Sequence, residues 1–207
     1  ITARLGTVVL GAADTVTVDL YGDGLIQLGI QDETLEQMTG GRLSALNRGR
    51  LEAAGGVVRM SAASAREASD AVIAMDGVAT ARTVTHQPGR VILHAGAHGD
   101  VSVSGTVDAS ADRTGAGGDI AVRGRNVTLS EGADLDTSGG RGGGSIHVGG
   151  SWQGGGNGLT ATRTRVAQGA ALNADATDVG DGGEVVVWAD GHTEFRGDIS
   201  TRGGPQG

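Results

Sequence analysis

The side chains with the most chemical scope in this sequence are five histidines, a scatter of aspartates, two tryptophans and one Arg-Gly-Asp triplet. Of His86, His94, His98, His147 and His192, only His94 and His98 stand four apart, and the segment HAGAH reads as strand and corner. Two such histidines would not share a face as a helical metal pair does. All five read as exposed polar side chains, and no metal or cofactor is assigned. Glycosidic cleavage needs two carboxyl groups converging on one bond. Asp100, Asp108, Asp119 and Asp136 are instead spread singly over different strands and corners. The best stacked pair is Asp108 with Asp136, equivalent positions after Val107 and Leu135, yet equivalent aspartates are also what turn capping produces. No Gly-x-Ser-x-Gly elbow occurs, and GRGGGS (140–145) reads as a glycine corner, not a phosphate loop. No residue is assigned a catalytic role, and the reading is against an enzyme.

Composition narrows the classes further. The net charge is −8, without clustered basic residues, which excludes nucleic acid as a partner because phosphate neutralisation needs dense Lys and Arg. There is no Cys, hence no disulfide or thiol site. No apolar run approaches the ~20 residues of a membrane helix. The ends, ITARLGTVVL and RGGPQG, read as cuts from a longer chain. Glycine supplies 40 residues and the aromatics only Trp152, Trp188, Tyr21 and Phe195, so a core must be built from Val, Ile, Leu and Ala.

A repeat must position whatever function there is. Apolar anchors at Leu51, Val78, Val107, Leu135, Leu172 and Ile199 are separated by 27, 29, 28, 37 and 27 residues. A second series (GGVVRM, GRVILHAG, GGDIAVRG, GGSIHVGG, GGEVVVWA) interleaves with it, and short runs such as GDVSVSG, RNVTLSEG, TRVAQG and HTEFRG make a third. Three short strands per unit, bounded by turn residues at a fixed period, predict an all-β fold: a right-handed parallel β-helix with three sheets. Residues 1–207 form a single rod of roughly seven coils, ~4.8 Å apart. Excursions are expected near 62–75, rich in helix formers, and near 150–164, rich in glycine.

On such a rod, Arg196-Gly197-Asp198 sits at a corner, with Gly197 matched to Gly105 and Gly132. Geometry alone explains the glycine, and the triplet stays a weak candidate ligand contact. Trp188 follows the inward Val187 and so points outward, where an indole stacks on a sugar or shields a coil. Trp152 lies in the glycine loop and is the first suspect for recognition, since loops on a rigid scaffold carry it.

Three stretches carry a family resemblance: ITARLGTVVLGAADTVTVDLYGDGLIQLGI, GTVDASADRTGAGGDIAVRGRNVTLSEGADLDTSGGRGGGSIHVGGSWQG, and LNADATDVGDGGEVVVWADGHTEFRGDISTRGGPQG. They resemble the large exoproteins of the filamentous haemagglutinin type. The resemblance implies β-helical rods of Gram-negative bacteria, exported by two-partner secretion through an outer-membrane transporter, and an extracellular or cell-surface location. It implies an adhesin, with a host glycan or matrix protein as partner and lateral self-association, or a passive stalk for a distal haem-binding or contact-dependent toxin domain. A carbohydrate-active β-helix enzyme is the remote alternative. The family's NPNL and NPNG elements do not occur. The segment is therefore expected to follow the amino-terminal secretion domain, not to contain it.

Overall fold

The computed structural model describes residues 1–13, 44–63, 72–84, 87–155 and 158–206. In chain order the first strands are β1 (Thr2–Arg4), β2 (Thr7–Ala13), β3 (Ser44–Asn47), β4 (Arg50–Ala54), β5 (Val57–Ala63) and β6 (Val72–Met75). There follow β7 (Val78–Thr80), β8 (Arg90–His94), β9 (Asp100–Val103), β10 (Thr106–Asp108), β11 (Asp119–Arg123) and β12 (Asn126–Leu129). The last are β13 (Asp134–Asp136), β14 (Ser145–Val148), β15 (Arg163–Val166), β16 (Ala171–Asn173), β17 (Glu184–Val187), β18 (His192–Phe195) and β19 (Asp198–Ser200).

Each strand pairs in parallel with its equivalent one coil away. The first sheet runs β1-β4-β7-β10-β13-β16-β19, the second β2-β5-β8-β11-β14-β17 and the third β3-β6-β9-β12-β15-β18. This is the right-handed parallel β-helix expected from the repeat, with the hand that crossovers between parallel strands favour.

Alternation decides what is inside. In β8, β11 and β12 every second side chain is buried, and parallel register stacks like on like. Val58, Val91, Ile120 and Ile146 form one inward column of the second sheet, and Met60, Leu93, Val122 and Val148 the next. Ile73, Val101 and Val127 continue the core on the third sheet. Burying one such side chain contributes about 1.5–3 kcal/mol, and the columns repeat that gain at every coil.

The first sheet corrects the predicted anchors. Leu51 pairs with Ala79, and Ala79 with Val107, so Ala79 is the inward residue and Val78 faces out. Leu51, Ala79, Val107 and Leu135 are thereby spaced by 28 residues each. Val78 misled because the larger side chain of the pair is not the buried one. The expected 62–75 excursion also shrinks: Val72–Met75 is a strand with Ile73 and Met75 inside, and residues 64–71 lie outside the described part. The 150–164 excursion likewise stops before Arg163, where β15 begins, and Thr164 faces the interior.

The residue preceding each strand of the second sheet is glycine: Gly6, Gly56, Gly89, Gly118, Gly144 and Gly183. Successive members stack so closely that a Cβ on Gly144 would run into the carbonyl oxygen of Gly118, and one on Gly183 into that of Gly144. The contact has a purpose. Those carbonyls accept hydrogen bonds from the next coil, Ser145 N to Gly118 O at 2.9 Å and Glu184 N to Gly144 O at 2.9 Å.

Candidate functional site

The acids resolve first. Asp108 and Asp136 do stack in register, as expected of the best carboxylate pair. Asp108 Oδ1 accepts from Ser110 N at 2.9 Å, Asp136 Oδ1 accepts from Ser138 N at 2.8 Å, and Asn173 one coil on does the same for Asp175 N at 3.0 Å. The column is a ladder of turn caps. Arg82 Nε also donates to Asp108 Oδ2 at 2.9 Å, so both oxygens of that carboxylate are engaged. Beside them, burial and then the charges of Asp136 and Asp108 raise the Asp134 carboxyl above its ordinary value.

Asp175, which sequence reasoning missed, is the most engaged acid among the described residues. It accepts from Ser200 Oγ and Arg202 N, both at 2.6 Å, and from Arg202 Nε at 3.1 Å. Burial pushes its carboxyl up, but these hydrogen bonds and the Arg202 charge together outweigh burial and hold it below the ordinary 3.8. A depressed folded pKa means the stabilisation is complete above the ordinary range and is lost as the pH falls through the depressed value. Asp175→Ala should therefore destabilise the coil carrying Ser200 and Arg202 at pH 7. In urea melts, variant and parent should converge only well below pH 3.8.

The histidines form no metal set, but His94 and His147 are half-buried and not exposed as expected, and both line one groove on the outer face of the second sheet. His147 Nε2 meets Glu184 Oε1 at 2.8 Å, His94 ends β8 on the outer face of the second sheet, and His98 and His192 lie exposed elsewhere. His86 lies outside the described residues. Among the described residues no three metal-ligating side chains cluster.

Arg196, Gly197 and Asp198 occupy the corner between β18 and β19. The corner is flush with the ladder: Arg196 N donates to Val166 O and Asp198 N to Ala170 O, both at 2.9 Å. The Arg196 side chain pairs with Glu194 at 2.8 Å, while Asp198 is exposed. The matching of corners needs one correction. Register places Gly197 with Gly105, Ala133 and Ala170, so Gly132 is one position early. Gly132 instead takes a positive φ of 82°, as does Gly169 at 79° in the next coil, which explains why glycine was misleading there.

Among the described residues, the loop between β14 and β15 departs from the rod. Trp152–Gly154 forms a single 3₁₀ turn, with Gln153 at φ 53° and Gly154 at φ 66°. Trp152 is 69% exposed. Trp188 does point outward, and its indole packs over Gly150 and Gly154 while Nε1 donates to Asp190 Oδ1 at 3.2 Å. Arg123 straps the loop to the sheet, Nη1 to Leu159 O at 3.1 Å and Nη2 to Ser151 Oγ at 3.0 Å. The loop thus walls a groove of about 570 Å³ on the outer face of the second sheet.

No family model matches the sequence, and no curated protein does. Among solved structures, the chain is similar to the secretion domain of HMW1 from Haemophilus influenzae, with a TM-score of 0.77 and 26% identity. The likeness covers 98% of this chain and 52% of that one. The likeness supports kinship with exoproteins of the two-partner secretion kind. It spans about half the length of the HMW1 domain it matches. The expectation that the segment follows a secretion domain lacks support from this likeness, since the matched structure is itself a secretion domain. That expectation rested on missing NPNL and NPNG elements, and a coil fold stands on column packing without any one tetrapeptide. No helix among the described residues is long and apolar enough to cross a membrane.

Proposed function

We propose that this chain is the β-helical part of a secreted bacterial surface exoprotein, passed through an outer-membrane two-partner transporter and then serving adhesion. The observation that carries the reading is the likeness to the HMW1 secretion domain over 98% of the chain. It supports a Gram-negative source and an extracellular or cell-surface site of action. The adhesive half is supported by Trp152, an exposed indole on a loop strapped to a rigid sheet, offered to a host glycan or matrix protein. Trp188 and the Arg196-Gly197-Asp198 corner are lesser contacts. Lateral packing of rods is part of the same reading. A second reading, a passive stalk presenting a distal haem-binding or toxin domain, is favoured by the even spacing of the stacked columns.

Export is tested by co-expressing the chain, behind a signal sequence, with and without its cognate transporter. Release to the medium only with the transporter is expected, and retention in the periplasm in both cases overturns the proposal. Adhesion is tested by passing the purified chain over glycan and matrix-protein panels. Binding should fall about tenfold or more in Trp152→Ala, the loss typical of a buried aromatic anchor, and persist in Asp198→Glu. No binding above background leaves the stalk.

A further inference from the structure

The groove walled by the loop has an unbalanced lining. On the outer face of the second sheet, Ala121 stands in one column between Ile92 and His147, and beyond Ile92 lies Arg59. Its single methyl leaves a dip among larger neighbours. In the adjoining column His94 pairs with Arg123. Asp119 also lines the groove but is already engaged, accepting from Arg90 Nη2 at 3.1 Å and from Ser145 Oγ at 2.7 Å, and Glu184 meets His147. Arg123 spends its guanidinium on two neutral acceptors, Leu159 O and Ser151 Oγ. Among the described residues, Arg59, His94 and Arg123 therefore meet no carboxylate.

With Asp119 matched by Arg90, the groove keeps two arginines and an imidazole that meet no carboxylate among the described residues, a local inversion of the field of a chain of net charge −8. Burial first, and then the charges of Arg123 and Arg59, hold the His94 imidazole below its ordinary value. A bound anion would relieve that field. Ile92, Ala121 and Leu159 give the groove an apolar floor and wall, and its volume is that of a small-ligand site.

We propose that this groove binds an acidic saccharide unit, its ring on Ala121 and Ile92 and its carboxylate or sulfate group held by Arg59, His94 and Arg123. The guanidinium groups supply charge-assisted hydrogen bonds to the oxyanion, and the neutral imidazole supplies one N–H donor. The apolar floor takes the ring's C–H face. This site is separate from Trp152 and from export: the purified chain can bind without being exported, and can be exported without binding.

The test is a titration of the purified chain with glucuronic acid and glucose 6-sulfate, and with glucose as the neutral comparator. It is followed by the NMR shifts of the His94 ring and by ligand-observed saturation transfer. Both acidic sugars should move the His94 resonances saturably, glucose should not, and inorganic sulfate should compete. Arg59→Gln removes an exposed cation that makes no hydrogen bond or ion pair among the described residues, and should weaken binding about tenfold, the loss of one charge-assisted hydrogen bond. Arg123→Gln should weaken it at least as much. Equal binding of glucose, no shift of His94, or affinity unchanged in Arg59→Gln would each overturn the proposal.

Discussion

Gly144→Ala is expected to lower the stability of the rod by about 3 kcal/mol or more, a large effect for adding one methyl group. The methyl would enter the space held by the Gly118 carbonyl, which is backbone and has no rotamer to give. Relief requires the two coils to separate, and separation breaks the bond from Ser145 N to Gly118 O at 2.9 Å. The backbone at Gly144 has ordinary φ, so the penalty is one of space and not of conformation. Gly49→Ala is the comparison. Its nearest neighbour to a new methyl is Asn47 Oδ1 at 3.9 Å, and it should change little. Urea melts of the two variants, read beside the parent, decide the matter. Equal midpoints would show that the corner is more compliant than its packing implies.

Leu135→Ala is expected to cost about 2–5 kcal/mol, from lost burial plus the cavity left behind. Leu135 is fully buried and lies between Val107 and Leu172 in its column. Its neighbours cannot collapse into the gap without sliding whole strands off their ladder. Hydrogen exchange should therefore show the loss of protection concentrated in β10, β13 and β16 and fading one coil further on, since each coil touches only the next. Leu46→Ala, on an outward position that is 43% exposed, should stay within about 0.5 kcal/mol of the parent. Uniform loss of protection from end to end would mean that the rod unfolds as one unit.

The three-sheet architecture was legible because strand length and the turn residues repeat together; strand composition alone would not have sufficed. Val91 and Leu93, for instance, point inward as alternation required. The register of the first sheet was less legible. Its strands are only three residues long, and in Val78–Thr80 the inward residue is the small one, so size and position disagree. The Asp108 and Asp136 ladder was read correctly as capping because both follow an inward anchor and precede a turn. Asp175 was missed because its partners, Ser200 and Arg202, lie 25 and 27 residues away and belong to no motif. The lining of the groove was missed for the same reason. Arg59, His94 and Arg123 become neighbours only through stacking, and their spacing in sequence is the coil length plus offsets.

The loop after β14 lengthens its coil from 28 residues to 37, between Leu135 and Leu172. Closing a coil of 28 residues costs about 3 kcal/mol of chain entropy, and the logarithmic growth of that cost makes the longer closure dearer by only about 0.25 kcal/mol. Sideways growth at this corner is thus almost free thermodynamically, while each lengthened turn still finds the same ladder on either side. Evolution can exchange what is displayed there without renegotiating the rod. A designer grafting a foreign peptide between Gly150 and Arg163 would meet the same tolerance.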